Sequence, residues 1–255
     1  MQLTTSEAIL LDVINLHEYD RIVSFLTPEH GRKRGVAKGA RRKYSRFAGQ
    51  LQPLAKVEIT WFSKEGAELV RVSSLDLVRS AGPLYGDLEN LAIGGYLAGH
   101  MLEFAQENED SRQLYRLLDS TIEALLGGRD ASLAARYFEI WVLRLSGIFP
   151  VPVECPLCGR SLLDTGAALP PGVDSIVCIE CHPSRDDDLV SQEVLEFLIR
   201  SRVEGLDSLS DPAPASSTLA GLEEVCGRVR RNFLQGELRS YRVMQQMLAP
   251  LGPQA

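Results

Sequence analysis

The sequence predicts an α+β protein: a small closed β-barrel at the N-terminus, then an all-helical region with an embedded four-cysteine finger. Three observations carry this. Over roughly the first eighty residues, short runs of strand formers alternate with turn signals. Beyond Ala81-Gly82-Pro83 the apolar pattern changes to a helical period. Later, Cys155-Pro156-Leu157-Cys158 and Cys178-Ile179-Glu180-Cys181 form two Cys-x2-Cys knuckles with nineteen residues between them, within the window of a four-thiolate zinc site.

Taken in order, residues 8–14 and 21–27 are apolar, strand-forming runs, the second closed by the turn signal Pro28-Glu29-His30-Gly31. A third strand is expected around 33–38, opening into a glycine-bearing loop. Val57, Ile59 and Trp61 alternate with Lys56, Glu58 and Thr60, the period of two of a half-buried strand. Residues 69–72 and 75–78 are two weaker strand candidates. Five or so short strands suit an OB-fold, a small barrel that binds oligonucleotides. Residues 88–106 are apolar nearly all round, so they predict a buried central helix, with Gly94, Gly95 and Gly99 admitting a close neighbour. A second helix carries Leu114, Leu118, Ile122 and Leu125 and stops at Gly127-Gly128. A third, with Asp130 as its expected cap, carries Leu133, Tyr137, Ile140, Trp141 and Leu145. Helices are then expected over 189–202, with Asp186, Asp187 and Asp188 favouring its start, and from about Thr218, with a break at Gly236 before Tyr241 and Met247.

The domains expected are an OB-fold nucleic-acid-binding domain over 1–80, a helical domain over 81–150 and a zinc finger over 151–185. C-terminal helices over 186–255 are expected to pack on the helical domain. No apolar stretch is long enough to span a bilayer, and no signal pattern opens the chain, so a cytoplasmic protein is expected.

Charge is distributed unevenly. Arg32, Lys33, Arg34, Lys38, Arg41, Arg42, Lys43 and Arg46 are eight cations with no acid among them, in a chain whose net charge is −7. The remainder therefore carries −15. Clustered Lys and Arg gain affinity for a polyanion by releasing its condensed counterions. Tyr44, inside the run, is an aromatic ring suited to stacking on bases. These nine residues are the candidate DNA-binding set.

The candidate metal ligands are Cys155, Cys158, Cys178 and Cys181. Four cysteines fill a tetrahedral sphere, so one structural Zn2+ per chain is expected rather than a catalytic ion with an open position. His182 adjoins the second knuckle and reads as a bystander, and Cys226 reads as a core thiol. The sequence holds no P-loop, no Gly-x-Gly-x-x-Gly after a strand, no Gly-x-Ser-x-Gly and no His-Glu-x-x-His. No enzymatic activity and no small-molecule substrate are expected.

Glu18-Tyr19-Asp20, Phe25-Leu26-Thr27-Pro28-Glu29-His30-Gly31, Val36-Ala37-Lys38-Gly39-Ala40-Arg41-Arg42 and Leu51-Gln52-Pro53, followed by the knuckles, resemble the RecO family of bacterial recombination mediators. The resemblance covers nearly the whole chain. It implies an N-terminal OB-fold, a helical C-terminal domain with a zinc finger, and action in the RecF pathway of DNA repair. It further implies binding of single- and double-stranded DNA, annealing of complementary strands, and help to RecA in replacing single-strand-binding protein. The partners implied are RecR and the acidic C-terminal tail of single-strand-binding protein, for which Arg112, Arg116, Arg136 and Arg144 are candidate contacts. The alternative left open by the residues alone is an RNA-binding protein associated with the ribosome or with transcription. Acids such as Glu18, Asp20 and Glu29 could hold magnesium for a nuclease, but nothing in their spacing favours this over a solvated loop.

Overall fold

The structure, a computed structural model, describes residues 2–64, 66–149, 153–173, 175–183 and 188–249. Five strands open the chain: β1 (Gln2–Leu16), β2 (Asp20–Thr27), β3 (Gly31–Ala37), β4 (Lys56–Ser63) and β5 (Val70–Arg79). They close into a barrel of order β1-β2-β3-β5-β4, with β3 and β5 parallel. β1 closes the ring by serving two neighbours. Its first half pairs with β4, from Gln2↔Ser63 to Ile9↔Lys56. Its second half pairs with β2, from Ile9↔Leu26 to Leu16↔Asp20, across an irregularity between Leu10 and Asp12. An extra residue at such a bulge bends a strand, and the bend carries β1 from one neighbour to the other.

The expected alternation in β4 holds, with Val57, Ile59 and Trp61 buried in the barrel. Trp61 meets Phe25 at 5.6 Å between ring centroids and the His30 ring edge-on at 5.6 Å. The two weak candidates at 69–72 and 75–78 are one strand, β5. Its register against β4 shifts between Trp61↔Val72 and Thr60↔Ser74, and the extra residue at Ser73 interrupts the alternation that would have marked a single strand.

A 3-10 turn (Gly82–Gly86) leads to α1 (Leu88–Phe104), whose start is capped by Asp87 accepting from the Asn90 amide. An ideal Cβ at Gly94 would lie 2.5 Å from Leu54, and one at Gly99 2.0 Å from Ser240, whereas Gly95 faces open space. Two of the three glycines thus admit close neighbours. α2 (Arg112–Leu126) follows, tied to the barrel through Asp119, which takes Lys56 at 2.9 Å and Arg79 at 2.7 Å.

The contacts divide the chain into two compact units: the chain up to Ala131 together with the C-terminal stretch from Leu238, and the segment Ser132–Glu237. In the first unit, α8 (Arg239–Leu248) lies on α1, with Tyr96 and Tyr241 5.6 Å apart.

The second unit contains most of α3 (Ala131–Leu145), the short α4 (Leu162–Thr165), and three two-residue strands, β6 (Ala167–Ala168), β7 (Val177–Cys178) and β8 (Leu189–Val190). α5 (Gln192–Arg200), α6 (Leu206–Leu209) and α7 (Ser216–Leu234) complete it. The helix expected over 189–202 therefore begins later. Leu189 and Val190 are a strand against β6, and Ser191 caps α5 by accepting from the Val194 amide. Asp186 and Asp187 lie outside the described residues. The expected break near Gly236 is present, since α7 ends at Gln235 in a left-handed conformation and α8 starts three residues after Gly236.

The α3 stripe differs from the expectation. Tyr137, Trp141 and Leu145 are only half-buried, while Arg136 and Glu139 are buried. Charges survive there because they are mutually paired. Arg136 meets Glu139 at 3.0 Å and Glu223 at 2.9 Å, and Arg230 meets Glu139 at 3.2 Å and Glu237 at 2.8 Å. Removing one partner of such a set leaves the others as uncompensated buried charge. Glu139→Ala should therefore lower stability by about 3 to 5 kcal/mol in chemical denaturation.

Candidate nucleic-acid interface and metal centre

The basic run occupies β3 and the loop 38–55 that follows it. That loop is a chain of tight turns, with Arg42 N donating to Gly39 O, Ser45 N to Arg42 O and Ala48 N to Ser45 O at 3.0 to 3.1 Å. Its apolar residues Ala40, Phe47, Leu51 and Ala55 join the barrel core. With those side chains turned inward, the cations between them face solvent: Lys38, Arg41, Arg42, Lys43 and Arg46 are all exposed.

The eight cations separate into two groups. Arg32 and Lys33 are engaged with the last turn of α1 and the segment after it. Arg32 donates to the Leu102 carbonyl and pairs with Glu107 at 3.5 Å, and its amide donates to Gln106 O at 2.9 Å. Lys33 donates to the Asn108 side chain. Burial holds the Lys33 ammonium below its usual value, against the upward pull of the Glu107 charge. Gly31 makes this approach possible: with φ at +61°, an added Cβ would lie 2.3 Å from Gln106 O. Arg34, Lys38, Arg41, Arg42, Lys43 and Arg46 form the second group, and no ion pair to any of them occurs among the described residues.

Three of these cations rest on rings instead. Lys43 lies 5.5 Å from the Tyr44 centroid, Arg46 4.9 Å from Phe47 and Arg42 5.4 Å from Tyr19. Tyr44 is 90% exposed. Tyr19, in the β1–β2 turn, was not singled out as a site residue by sequence reasoning. A tyrosine in a turn carries no local signal of the loop it meets.

The four knuckle cysteines converge in the second unit, their sulfurs all within 4.8 Å of one another. Cys158 and Cys178 Sγ are 3.7 Å apart, and sulfurs about 2.3 Å from a central ion in a tetrahedron are separated by about 3.8 Å. Backbone amides support the set: Cys178 N donates to Cys155 Sγ at 3.4 Å and Cys181 N to Cys178 Sγ at 3.3 Å. Arg160 holds the Cys158 thiol down to about 6, while hydrogen bonds to Cys158 and Cys178 push Cys181 up to about 12. Four crowded sulfurs resist shared ionisation, and a bound cation removes that conflict. The donor set and spacing fit a tetrahedral metal ion. Cys226 lies apart, fully buried in α7, and burial pushes its thiol up.

The chain is thus of the class that joins an OB-like barrel to a mainly helical region with a four-cysteine cluster able to hold a metal ion. The chain matches the family models described as Recombination protein O N terminal, over residues 1–81, and Recombination protein O C terminal, over 85–242. It is 30% identical to the DNA repair protein RecO of Anaeromyxobacter sp. (strain K) over 250 residues, covering 96% of this chain and 95% of the relative. It is 32% identical to the DNA repair protein RecO of Geobacter metallireducens over 181 residues, 71% of this chain and 73% of that one. The RecO of Koribacter versatilis is 29% identical over 204 residues, 79% and 83% of the two chains. The chain belongs to the RecO family. No described helix is long and apolar enough to cross a membrane.

Metal content tests the centre directly. One divalent ion per chain is expected in elemental analysis of protein purified without chelator. Replacing Cys155 and Cys178 by Ala should abolish it, whereas Cys226→Ala should leave it intact.

Proposed function

We propose that this protein is a DNA-binding recombination mediator of the RecF pathway. It binds single- and double-stranded DNA, anneals complementary strands and helps RecA replace single-strand-binding protein. The observation that carries this reading is the group of six cations without ion pairs among the described residues, Arg34 on β3 and five in the loop after it, together with exposed Tyr44, in an otherwise acidic chain. Arg34, Lys38, Arg41, Arg42, Lys43 and Arg46 neutralise phosphates, and Tyr44 stacks on unpaired bases. Arg32 and Lys33 join them where their contacts with residues 102–108 open. Annealing follows from the same chemistry, because two polyanions approach only when both are neutralised.

Zn2+ is the ion that a closed four-cysteine set prefers in a structural role. Held by Cys155, Cys158, Cys178 and Cys181, it orders knuckles whose strands are only two residues long. It takes no part in DNA chemistry.

For partners we propose RecR and the acidic tail of single-strand-binding protein. Of the four arginines considered for the tail, Arg136 is buried and paired, which removes it. Arg112 pairs with Asp110 and with Glu29. Arg144 is better suited: it lies 4.2 Å over the Trp141 ring, and burial and then the neighbouring Arg202 hold its guanidinium below the usual value. A guanidinium lying over an indole, with a second cation close enough to influence it, suits a carboxylate that follows an apolar residue. Arg144→Ala together with Arg202→Ala should weaken binding of a fluorescent tail peptide about tenfold or more. Unchanged peptide affinity would remove this placement.

DNA affinity measured against salt tests the main reading. Five or six phosphate contacts give a single-strand slope of about −3.5 to −4 on logarithmic axes. Changing Arg41, Arg42 and Lys43 together to Ala should flatten the slope by about 2 and slow annealing. Thermal unfolding should barely move, since exposed substitutions usually cost within about 0.5 kcal/mol. A variant that keeps both slope and annealing rate would place the DNA face elsewhere. Higher affinity for RNA than for DNA of equal length would favour the RNA-binding alternative.

A further inference from the structure

The β1–β2 turn is bound to the basic loop at several points. The Arg41 amide donates to Tyr19 O at 3.0 Å and the Arg41 guanidinium to His17 O at 3.3 Å. Asp20 Oδ1 accepts from the Gly39 amide at 2.7 Å. These bonds fix Tyr19 beside residues 39–42, with Arg42 5.4 Å from its ring centroid. Although covered in part by Arg42, Tyr19 remains 46% exposed. Of the three ring–cation pairs on this face, the Phe47 ring is buried in the barrel, so only Tyr19 and Tyr44 offer a ring to solvent.

We infer that Tyr19 is a second base-stacking residue, and that it makes the face distinguish single-stranded from duplex DNA. This rests on the proposed reading of the basic loop as the DNA face. Phosphate contacts are available from either form of DNA and carry no information about strandedness. An exposed aromatic ring is different, because it stacks only on a base free of its own neighbours, and such stacking is worth a substantial part of single-strand affinity. Tyr19 and Tyr44 lie on separate segments, one in the β1–β2 turn and one in the loop after β3. The bonds of Arg41 and Asp20 hold the two segments together, and Arg42, lying on the Tyr19 ring, is placed to meet the phosphate beside the stacked base. A duplex keeps its bases inside the helix and meets only the cations.

The test uses the full-length protein, an oligothymidylate, a strand of the same length with abasic sites, and a duplex of that length. Tyr19→Ala should weaken oligothymidylate binding about 5- to 100-fold, leave duplex affinity within about twofold, and leave the salt slope unchanged. Tyr19→Phe should retain wild-type affinity for all three. Wild type should bind the abasic strand more weakly than oligothymidylate, and Tyr19→Ala should shrink that difference. Equal loss on single strand and duplex would overturn the inference, since Tyr19 would then only support the loop. Unchanged oligothymidylate affinity in Tyr19→Ala would overturn it too, while leaving the cation face intact. A wild type that binds neither form of DNA would overturn the proposed function and this inference with it. Should Tyr19→Ala fail to fold, the abasic comparison with wild type and Tyr19→Phe decides: no penalty for abasic sites contradicts stacking.

Discussion

One strand holds the N-terminal barrel closed. β1 pairs with β4 along its first half and with β2 along its second, and its irregularity between Leu10 and Asp12 allows both. Closure consumes the edges through which an open sheet would add a further strand. A closed barrel therefore recruits a ligand through loops and faces rather than by strand addition. The parallel seam between β3 and β5 is short, Gly35↔Val70 and Val36↔Arg71, and β3 runs directly beyond it into the loop 38–55.

The loop has to satisfy two demands at once. Ala40, Phe47, Leu51 and Ala55 complete the barrel core, so the positions between them project into water. Cations at those positions cost little stability there and concentrate positive potential on one side of an acidic chain. The metal centre follows from a similar shortage of core. Its sheet consists of two-residue strands, too little to be stable alone. Four thiolates around one ion would supply the missing crosslink.

Much of this was legible in the sequence, for identifiable reasons. Val57, Ile59 and Trp61 alternated cleanly, and they are core. The cysteine spacing placed four sulfurs that do converge. What could not be read were the features that depend on distant partners. Arg136 read as a candidate contact for an acidic peptide, yet it is buried with Glu139, in a set of charges that Arg230, ninety-odd residues on, helps to pair. Arg32 and Lys33 looked equivalent to Lys43, yet the segment after α1 engages them and leaves Lys43 exposed. Ser73 hid the unity of β5 by shifting its register. Tyr19 met the loop through hydrogen bonds that no local pattern announces.

Single-stranded DNA is proposed to lie across the β1–β2 turn and the loop after β3. Photocrosslinking of a thymine-only strand to the intact protein, followed by peptide mapping, tests this without any mutation. Crosslinked peptides containing Tyr19 and residues 38–47 are expected, lost when excess salt dissociates the complex. Crosslinks confined to the cysteine knuckles or to α3 and α7, with none in those two segments, would contradict it.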